Sequence, residues 1–373
     1  MTVDAHGERR MSGVRPFVKD TDLAQVAELN RTVFGSSDPA VPWRLDSYLS
    51  HFDAVFLNNP WRDAALPSLV YEDRDGEIRG FLGVVPRPMV RNGEPLRVAI
   101  SSQFMVHPRA RGRAGWQLLK EFFSGPQDMS ITEGSNSART IWEGLGGTTS
   151  LLYSVRWTRP LRPGRYVLSF LKQHGVRLSA ALALTPFCLA ANRLLARLAP
   201  PPLRPAWPVA SAGELSESEL LACLSNASRG SALRPEYDET SVKWLCEILA
   251  EKKGRGQFRK ILVRDAADQA LGWYLYYLKP AGMSEVVQLG AKKGSLSAVV
   301  RHLLHDAWRQ GAVAVSGRLD PGSIQALLGE RCLMHVGDGS WTLVHSRRHE
   351  LLEPLYRGDA FLTRLEGEWW AAL

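Results

Sequence analysis

Residues 103–116, which read QFMVHPRARGRAGW, connect a strand pattern to a helix pattern and decide the fold of the first half of this chain. Residues 97–106 have the apolar text of a strand, and after the connection apolar residues recur at helical spacing. Gly112, Ala114 and Gly115 are small enough to let a ligand approach the backbone at the helix N-terminus, where unpaired N–H groups attract anions. We therefore expect an anion-binding cradle between a strand and a helix.

Three arginines within the same stretch strengthen this expectation. Arg109, Arg111 and Arg113 add positive charge, and their forked guanidinium groups suit phosphate oxygens better than lysine does. The alternative interpretation is a basic surface turn that only caps the helix.

Two segments carry a resemblance to a known family. The pattern Arg109-x-x-Gly112-x-Ala114 resembles the acyl-CoA pyrophosphate signature of the GCN5-related N-acetyltransferases (GNAT), R/Q-x-x-G-x-G/A, which follows the fourth strand. Residues 136–146, NSARTIWEGLG, are similar to the family's N-x-x-A…Y-E-x-L-G segment. The resemblance covers residues 14–158. It implies an α/β fold with a central mixed sheet flanked by helices, and an enzyme that transfers an acyl group from an acyl-CoA, most simply acetyl-CoA, to an amine.

The resemblance also implies roles for individual residues. The strand that ends at Val106 should part from its neighbour, so that the backbone of Met105 and Val106 holds the pantetheine arm and the developing oxyanion. Asn136 should hydrogen-bond the pantetheine arm, or else cap a helix. Trp142 stands where the family has a tyrosine near the coenzyme. The pyrophosphate should be held by Arg109, Arg111, Gly112, Arg113, Ala114 and Gly115.

The acid and the base of the reaction are where this sequence departs from the family. The indole of Trp142 cannot replace the tyrosine that protonates the thiolate, and residues 100–106 lack the strand carboxylate that often acts as the base. Glu133 and His107 are the candidate bases, and Tyr153 is the candidate acid. Each also has a structural interpretation: a solvated strand-end carboxylate, a histidine facing water and a half-buried tyrosine.

The length of 373 residues predicts two domains, and the patterns of the two halves indicate a weak internal repeat. Residues 69–85 and 261–277 both read strand, Arg-Asp turn, glycine, aromatic strand. Residues 292–297, KKGSLS, lack the pyrophosphate signature, so we expect a degenerate second GNAT-like domain. The predicted division of the chain is a loose leader at 1–13, the acyl-CoA-binding domain at 14–159, a proline-bracketed helical linker at 160–210 and the second domain at 211–373.

The remaining secondary structure follows from apolar periodicity and turn residues. In the first half, strands are predicted at 14–18, 68–71, 80–85, 97–106, 129–132 and 151–157, and helices at 23–33, 116–123 and 138–145. In the second half, helices are predicted at 217–224, 240–250 and 296–309, and strands at 260–263, 271–278 and 284–291.

Composition and charge limit the classes of partner that this protein is expected to bind. The net charge of +8 suits nucleic acid, an acidic membrane or an anionic ligand, and the absence of nucleic-acid motif spacings argues against nucleic acid. The resemblance to the GNAT family implies a small-molecule amine or amino sugar as the acceptor. The four cysteines form no CxxC pair, which predicts no metal site and favours a reducing cytoplasm. Residues 178–192 are too short to span a bilayer. Residues 178–197 either lie on a membrane surface or on a partner, or form a helical hairpin that packs between the two domains.

Two other functions stay open at this stage. The missing acid and base would also fit a non-catalytic acyl-CoA-binding sensor. A tandem-GNAT aminoacyl transferase of the cell-wall type, which uses aminoacyl-tRNA, would account for the basic charge. Residues 358–370 combine carboxylates with paired tryptophans, a composition that either lines a pocket or completes a core.

Overall fold

The structure is a computed structural model that describes residues 12–35, 43–173, 205, 210–336 and 339–371. Residues 1–11 of the predicted leader and the predicted membrane-contact segment 178–197 lie outside the described residues, as does most of the predicted linker. Within the described ranges, no helix combines the length and the apolar character needed to cross a bilayer.

The chain divides into two compact units, and each is assembled from separate stretches of sequence. The first unit comprises Met1–Leu151, Ser231–Ile248 and Gly337–Leu373. The second comprises Leu152–Gly230 and Leu249–Val336.

Helices are numbered in chain order over the described residues. They are α1 (Lys19–Phe34), α2 (Leu45–Phe52), α3 (Arg113–Ser124), α4 (Asn136–Gly144), α5 (Leu151–Ser154), α6 (Pro163–Gln173), α7 (Glu217–Ser228), α8 (Glu239–Glu251), α9 (Leu296–Arg309), α10 (Ile324–Gly329) and α11 (Glu353–Arg357).

Strands are numbered in the same way. They are β1 (Gly13–Pro16), β2 (Leu69–Glu72), β3 (Ile78–Arg91), β4 (Glu94–Val106), β5 (Met129–Gly134), β6 (Thr148–Thr149), β7 (Arg156–Pro160), β8 (Ser211–Glu214), β9 (Leu233–Pro235), β10 (Gln257–Arg264), β11 (Ala270–Leu278), β12 (Met283–Ala291), β13 (Ala314–Arg318), β14 (Leu333–His335) and β15 (Trp341–His345).

The first unit is built on a sheet with the strand order β1-β2-β3-β4-β5-β15-β6, and β9 pairs with β3. Strands β2, β3 and β4 are antiparallel, and α3 then returns the chain so that β5 runs parallel to β4. Helix α3 buries Leu118 and Leu119 against the sheet. Elsewhere in the unit, the rings of Phe52, Phe56 and Phe81 pack against one another.

The second unit repeats this succession of elements. Its sheet has the order β14-β7-β13-β12-β11-β10-β8, in which β10, β11 and β12 are antiparallel and α9 leads to the parallel strand β13. Both units are therefore mixed sheets with helices, which confirms the predicted α/β fold class. The predicted hairpins appear as β2–β3 and β10–β11.

The predicted closing strand at 151–157 was wrong. Leu151–Ser154 is a short helix, and the strand that follows, β7, pairs with β13 and β14 in the second sheet. The neighbour of β5 is instead β15, although the sequence-based division placed residues 211–373 in the second domain. Local pattern predicts that a segment is extended, but the sheet that it joins depends on contacts distant in sequence, which periodicity does not encode.

The position of β15 in the first sheet predicts a stability effect. The side chain of Leu343 on β15 is fully buried beside the core of α3, so Leu343→Ala should lower the free energy of unfolding of the first unit by about 2–5 kcal/mol. Leu333→Ala on β14 is the matched control, because Leu333 is 57% exposed. Urea unfolding followed by tryptophan fluorescence measures both variants, and equal stability of the two would contradict the placement of β15.

Candidate functional site

Strands β4 and β5 part within the first sheet. Their parallel pairing is limited to Val98–Ile100 opposite Met129–Ile131, after which the hydroxyl oxygen of Thr132 lies 2.9 Å from the carbonyl oxygen of Ser101. Beyond this point β4 continues to pair with β3 as far as Val106. The predicted parting of the two strands is confirmed, and it opens a gap in the middle of the sheet.

A β-bulge in β4 accompanies the parting. Gly83 pairs with Ser102 and Phe81 with Met105, so one residue of β3 faces two residues of β4. Gln103, one of these two, has a φ of 51°, a left-handed conformation that costs a side-chain-bearing residue free energy. The Tyr48 hydroxyl donates to the amide oxygen of Gln103 at 3.2 Å. Because a bulge bends its strand, the backbone conformation of Gln103 turns the end of β4 away from the regular pleat.

The predicted cradle lies at the end of the bent strand. Pro108–Ala110 form a 3-10 turn, Gly112 has a φ of 97°, and α3 begins at Arg113. The first N–H groups of a helix have no acceptor within the helix, so those of α3 are available to an anion. Arg109, Arg111 and Arg113 are exposed and form no ion pair with any described residue.

The small residues of the cradle have two different physical causes. At Gly112 the positive φ requires glycine, and a Cβ atom there would meet no atom within 4 Å. At Gly115 a Cβ atom would lie 3.3 Å from the ring of Phe104 and 3.4 Å from Val106, and Ala114 is buried. Gly115 is therefore small because α3 packs closely on β4, Ala114 is a buried residue of α3, and Gly112 gives the loop its open backbone.

A cavity of about 620 Å³ lies at the parting of the strands. Most of the surface that faces the cavity is apolar, and polar or charged side chains also line it, as is typical of a small-molecule site. Its wall comes from α1, α2 and the residues before α2 (Asn30, Phe34, Trp43, Arg44, Ser47, Tyr48), from β4 (Ser101, Gln103, Phe104), from α3 (Leu119), from β5, Ser135 and α4 (Thr132, Glu133, Gly134, Ala138, Trp142) and from Glu368.

Glu368, a carboxylate in the wall of this cavity, has unusual hydrogen-bond partners and an unusual pKa. Its Oε2 accepts the Thr132 hydroxyl at 2.7 Å and the Glu133 backbone N–H at 2.8 Å, so it is attached to the part of β5 that no longer pairs with β4. Burial raises the pKa of Glu368 to about 7, against the opposing effect of these two hydrogen bonds. In the sequence, the mixture of carboxylates and tryptophans at 358–370 suggested a pocket in this region, but it did not distinguish Glu368 from its neighbours.

The catalytic candidates from the sequence lie in three different places. Glu133 lines the cavity, and its Oε1 accepts the Trp369 backbone N–H at 3.2 Å. His107 begins the 3-10 turn of the cradle, where its Nδ1 accepts the Arg109 backbone N–H at 3.2 Å. Tyr153 is fully buried on α5 and belongs to the second unit. The structure thus brings Glu133, but neither His107 nor Tyr153, into the wall of the cavity.

The other predicted binding residues are near the cavity or the cradle. Asn136 is the first residue of α4, and its Oδ1 accepts the Trp341 indole N–H at 2.6 Å, while Ser135 is the N-cap. Trp142 is buried, and its indole N–H donates to the Val344 carbonyl oxygen at 3.0 Å.

Met105 and Val106 occupy the end of β4, past the parting. The side chain of Met105 is buried, and its sulfur accepts an amide N–H of Asn30 at 3.4 Å.

A buried cluster of charged and aromatic residues anchors the part of the chain that follows β15, residues 346–371, which carries Glu368 and is called the C-terminal segment. The Glu366 carboxylate is fully buried and accepts both the Tyr237 hydroxyl and the Thr363 backbone N–H. The Arg87 guanidinium lies 4.1 Å from the ring centre of Trp61 and 4.5 Å from that of Tyr237. A buried carboxylate is costly unless it is hydrogen-bonded, so this cluster fixes the segment in one arrangement.

No group of His, Cys, Asp or Glu side chains in the described ranges is arranged to hold a metal ion.

Solved structures of acyltransferases have a similar fold. A protein of Enterococcus faecalis described as a probable N-acyltransferase matches with a TM-score of 0.59 and 9% identity, over 92% of this chain and 74% of that one. A GCN5-related N-acetyltransferase of Kribbella flavida matches with a TM-score of 0.53 and 14% identity, over 89% and 71% of the two chains. Saccharomyces cerevisiae N-myristoyltransferase with bound myristoyl-CoA matches with a TM-score of 0.52 and 10% identity, over 90% and 79%.

These matches identify the fold of the chain as that of the GCN5-related N-acetyltransferases, which agrees with the resemblance found in the sequence. No family model matches the chain, and no curated protein matches its sequence. At identities of 9–14% the likeness establishes the fold, and the chemistry has to be argued from the site.

The buried cluster around Glu366 predicts that removal of a single hydroxyl group destabilises the protein. Tyr237→Phe takes away a hydrogen bond to the buried Glu366 carboxylate and should lower the free energy of unfolding by about 1–3 kcal/mol. Tyr356→Phe is the matched control, because Tyr356 is 51% exposed and its loss should cost less than about 0.5 kcal/mol. Chemical denaturation distinguishes the two variants, and a neutral Tyr237→Phe would show that the cluster does not hold the segment.

Proposed function

We propose that this protein is an acyl-CoA-dependent N-acyltransferase that acts on an amine of a small molecule. The observation that carries the proposal is the continuity of three features along one strand. Strand β4 lines the cavity with Ser101, Gln103 and Phe104, parts from β5 and runs into the cradle at the N-terminus of α3. A thioester with a diphosphate at a distance along a flexible arm fits this arrangement.

The chain supplies each function that binding of the donor requires. The N–H groups at the start of α3 and the three exposed arginines provide donors and positive charge for the diphosphate. The part of β4 beyond the parting provides backbone groups for the pantetheine arm and for the oxyanion that develops on the thioester carbonyl. Trp142, in the wall of the cavity, and Asn136, which follows Ser135 of that wall, are proposed to contact the arm.

The acceptor is proposed to enter on the side of α1 and α2. Phe34, Trp43 and Tyr48 line the cavity there, so an amine with an aromatic or apolar body, or an amino sugar that stacks on the rings, would fit. Acetyl-CoA is the first donor to test. Phe104, Leu119 and Trp142 form an apolar wall that would also accept a longer acyl chain, so donors of increasing chain length should be compared.

Binding of coenzyme A should depend on Gly112. Gly112→Val places a branched side chain at a φ of 97°, which distorts the cradle, so we expect CoA affinity to fall at least about 100-fold. Gly311→Val is the matched control, because Gly311 also has a positive φ, of 88°, but lies in the second unit. Calorimetric titration with CoA measures the affinities, and equal affinity in the two variants would contradict the cradle.

A comparison of ligand fragments tests the same cradle from the side of the ligand. CoA and dephospho-CoA keep the diphosphate and should both raise the melting temperature, whereas pantetheine lacks it and should have little effect at the same concentration. Equal stabilisation by pantetheine would mean that the diphosphate is not recognised.

Turnover separates the enzyme from the two alternatives. Release of free thiol from acetyl-CoA in the presence of a panel of primary amines supports an acyltransferase. Tight CoA binding without thiol release from any donor would favour the sensor. Absence of CoA binding, with transfer from aminoacyl-tRNA, would favour the cell-wall type of transferase.

A further inference from the structure

We propose that Glu368, in the C-terminal segment, is the catalytic base that removes a proton from the acceptor amine. This assignment rests on the proposed function, since it concerns the same cavity. Neither the strand carboxylate that the family often uses nor the candidate residues from the sequence analysis account for this role. The C-terminal segment therefore completes an active site whose other parts come from the first 151 residues of the chain.

The geometry leaves one oxygen of Glu368 for the substrate. The hydrogen bonds from Thr132 at 2.7 Å and from the Glu133 backbone at 2.8 Å go to Oε2, and the nearby Ser102 hydroxyl also lowers the pKa of the carboxyl group. These two bonds fix the carboxylate on the edge of β5 that faces the parting. Because Glu368 lines the cavity, its Oε1 is the atom that can accept a proton from an amine bound there.

The other candidate groups are less well placed for this role. The Glu133 carboxylate accepts the Trp369 backbone N–H, so it holds the residue next to Glu368 and acts as a positioning residue. His107 belongs to the cradle, where its ring accepts the Arg109 N–H. Glu366 is buried against Tyr237 and Thr363 and does not line the cavity.

The surroundings give Glu368 an acid strength suited to work near neutral pH. Burial is the largest cause of its raised pKa of about 7, and the negative charge of Glu133 acts in the same direction. The other titratable or charged groups of the cavity wall are Tyr48 on α2 and Arg44 directly before α2, and the C-terminal segment itself adds Arg364 and Glu366. A base with a pKa near the working pH is both sufficiently ionised and sufficiently basic.

The proposed step balances as follows. The amine nitrogen forms a bond to the thioester carbon, and its proton moves to Oε1 of Glu368. The carbon–sulfur bond then breaks, its electron pair leaves with the sulfur as a thiolate, and an amide is formed. The thiolate takes a proton from solvent, and Glu368 releases its own proton to solvent. No oxidant, reductant or metal is needed.

The first test compares Glu368→Gln with the wild type and with Glu350→Gln, a control that removes an exposed carboxylate of the C-terminal segment. With acetyl-CoA and the best amine of the panel, Glu368→Gln should lower kcat by about 10²–10⁴-fold and leave CoA affinity within about twofold. The acidic limb of the wild-type kcat/KM profile should lie near pH 7 and disappear in Glu368→Gln. Glu350→Gln should match the wild type in all three measurements.

The outcomes are distinguishable. If Glu368→Gln keeps the wild-type kcat and the same acidic limb while CoA binds normally, the assignment of the base is wrong and the proposed function stands. If the wild type itself does not bind CoA, the proposed function fails first. A lower kcat with an unchanged acidic limb would mean that Glu368 only supports the structure, which also overturns the proposal.

A second measurement needs neither donor nor acceptor. A carboxyl group whose pKa is higher in the folded than in the unfolded protein favours the folded state most at low pH, and this contribution is lost as pH rises from about 4.5 to above 7. The melting temperature of the wild type should therefore fall relative to that of Glu368→Gln over this range, and Glu350→Gln should follow the wild type. If the melting temperatures of the wild type and of Glu368→Gln change with pH in parallel, the pKa of Glu368 is not raised in the folded protein and the proposal is overturned.

Discussion

Strands β4 and β5 stay paired for only three residues, and the rest of the first unit is arranged around the gap that follows. In a continuous sheet the backbone N–H of Glu133 would be used by the neighbouring strand, but here it donates to Glu368. The bulge at Gln103 bends β4, and α3 begins where β4 ends. The same departure from regular pairing thus creates the cavity, and β4 continues past it to the loop that begins α3.

The gap would be unfavourable in an isolated sheet, because it leaves polar backbone groups without partners. The C-terminal segment provides part of the compensation, since Glu368 accepts from both Thr132 and Glu133. The segment is itself fixed by a buried anchor in which Glu366 accepts from Tyr237, and by packing of Trp370 against Trp244 with ring centres 5.0 Å apart. Fold and site therefore depend on residues more than 230 positions apart in sequence.

Local features of the site could be predicted from the sequence, and long-range ones could not. The loop before α3 and the helix itself follow from the order of strand, glycine-containing loop and helix, which is encoded within residues 94–124. The parting of the strands was expected from the resemblance to the GNAT family. The positions of β7 and β15 depend on which sheet supplies the partner strand, and nothing in either pattern states that choice. Glu368 was missed for the same reason: a carboxylate acquires its chemistry from what surrounds it, and its surroundings come from β4 and β5. Tyr153 was taken as part of a closing strand, and it lies instead on α5 in the second unit.

A crystal structure with coenzyme A bound tests the central claim most directly. The account predicts that the diphosphate oxygens lie within hydrogen-bonding distance of the backbone N–H groups at the start of α3, and that the pantetheine arm runs between β4 and β5 with its sulfur in the cavity that Glu368 lines. Coenzyme A bound elsewhere on the protein, with the gap between the two strands empty, would contradict it.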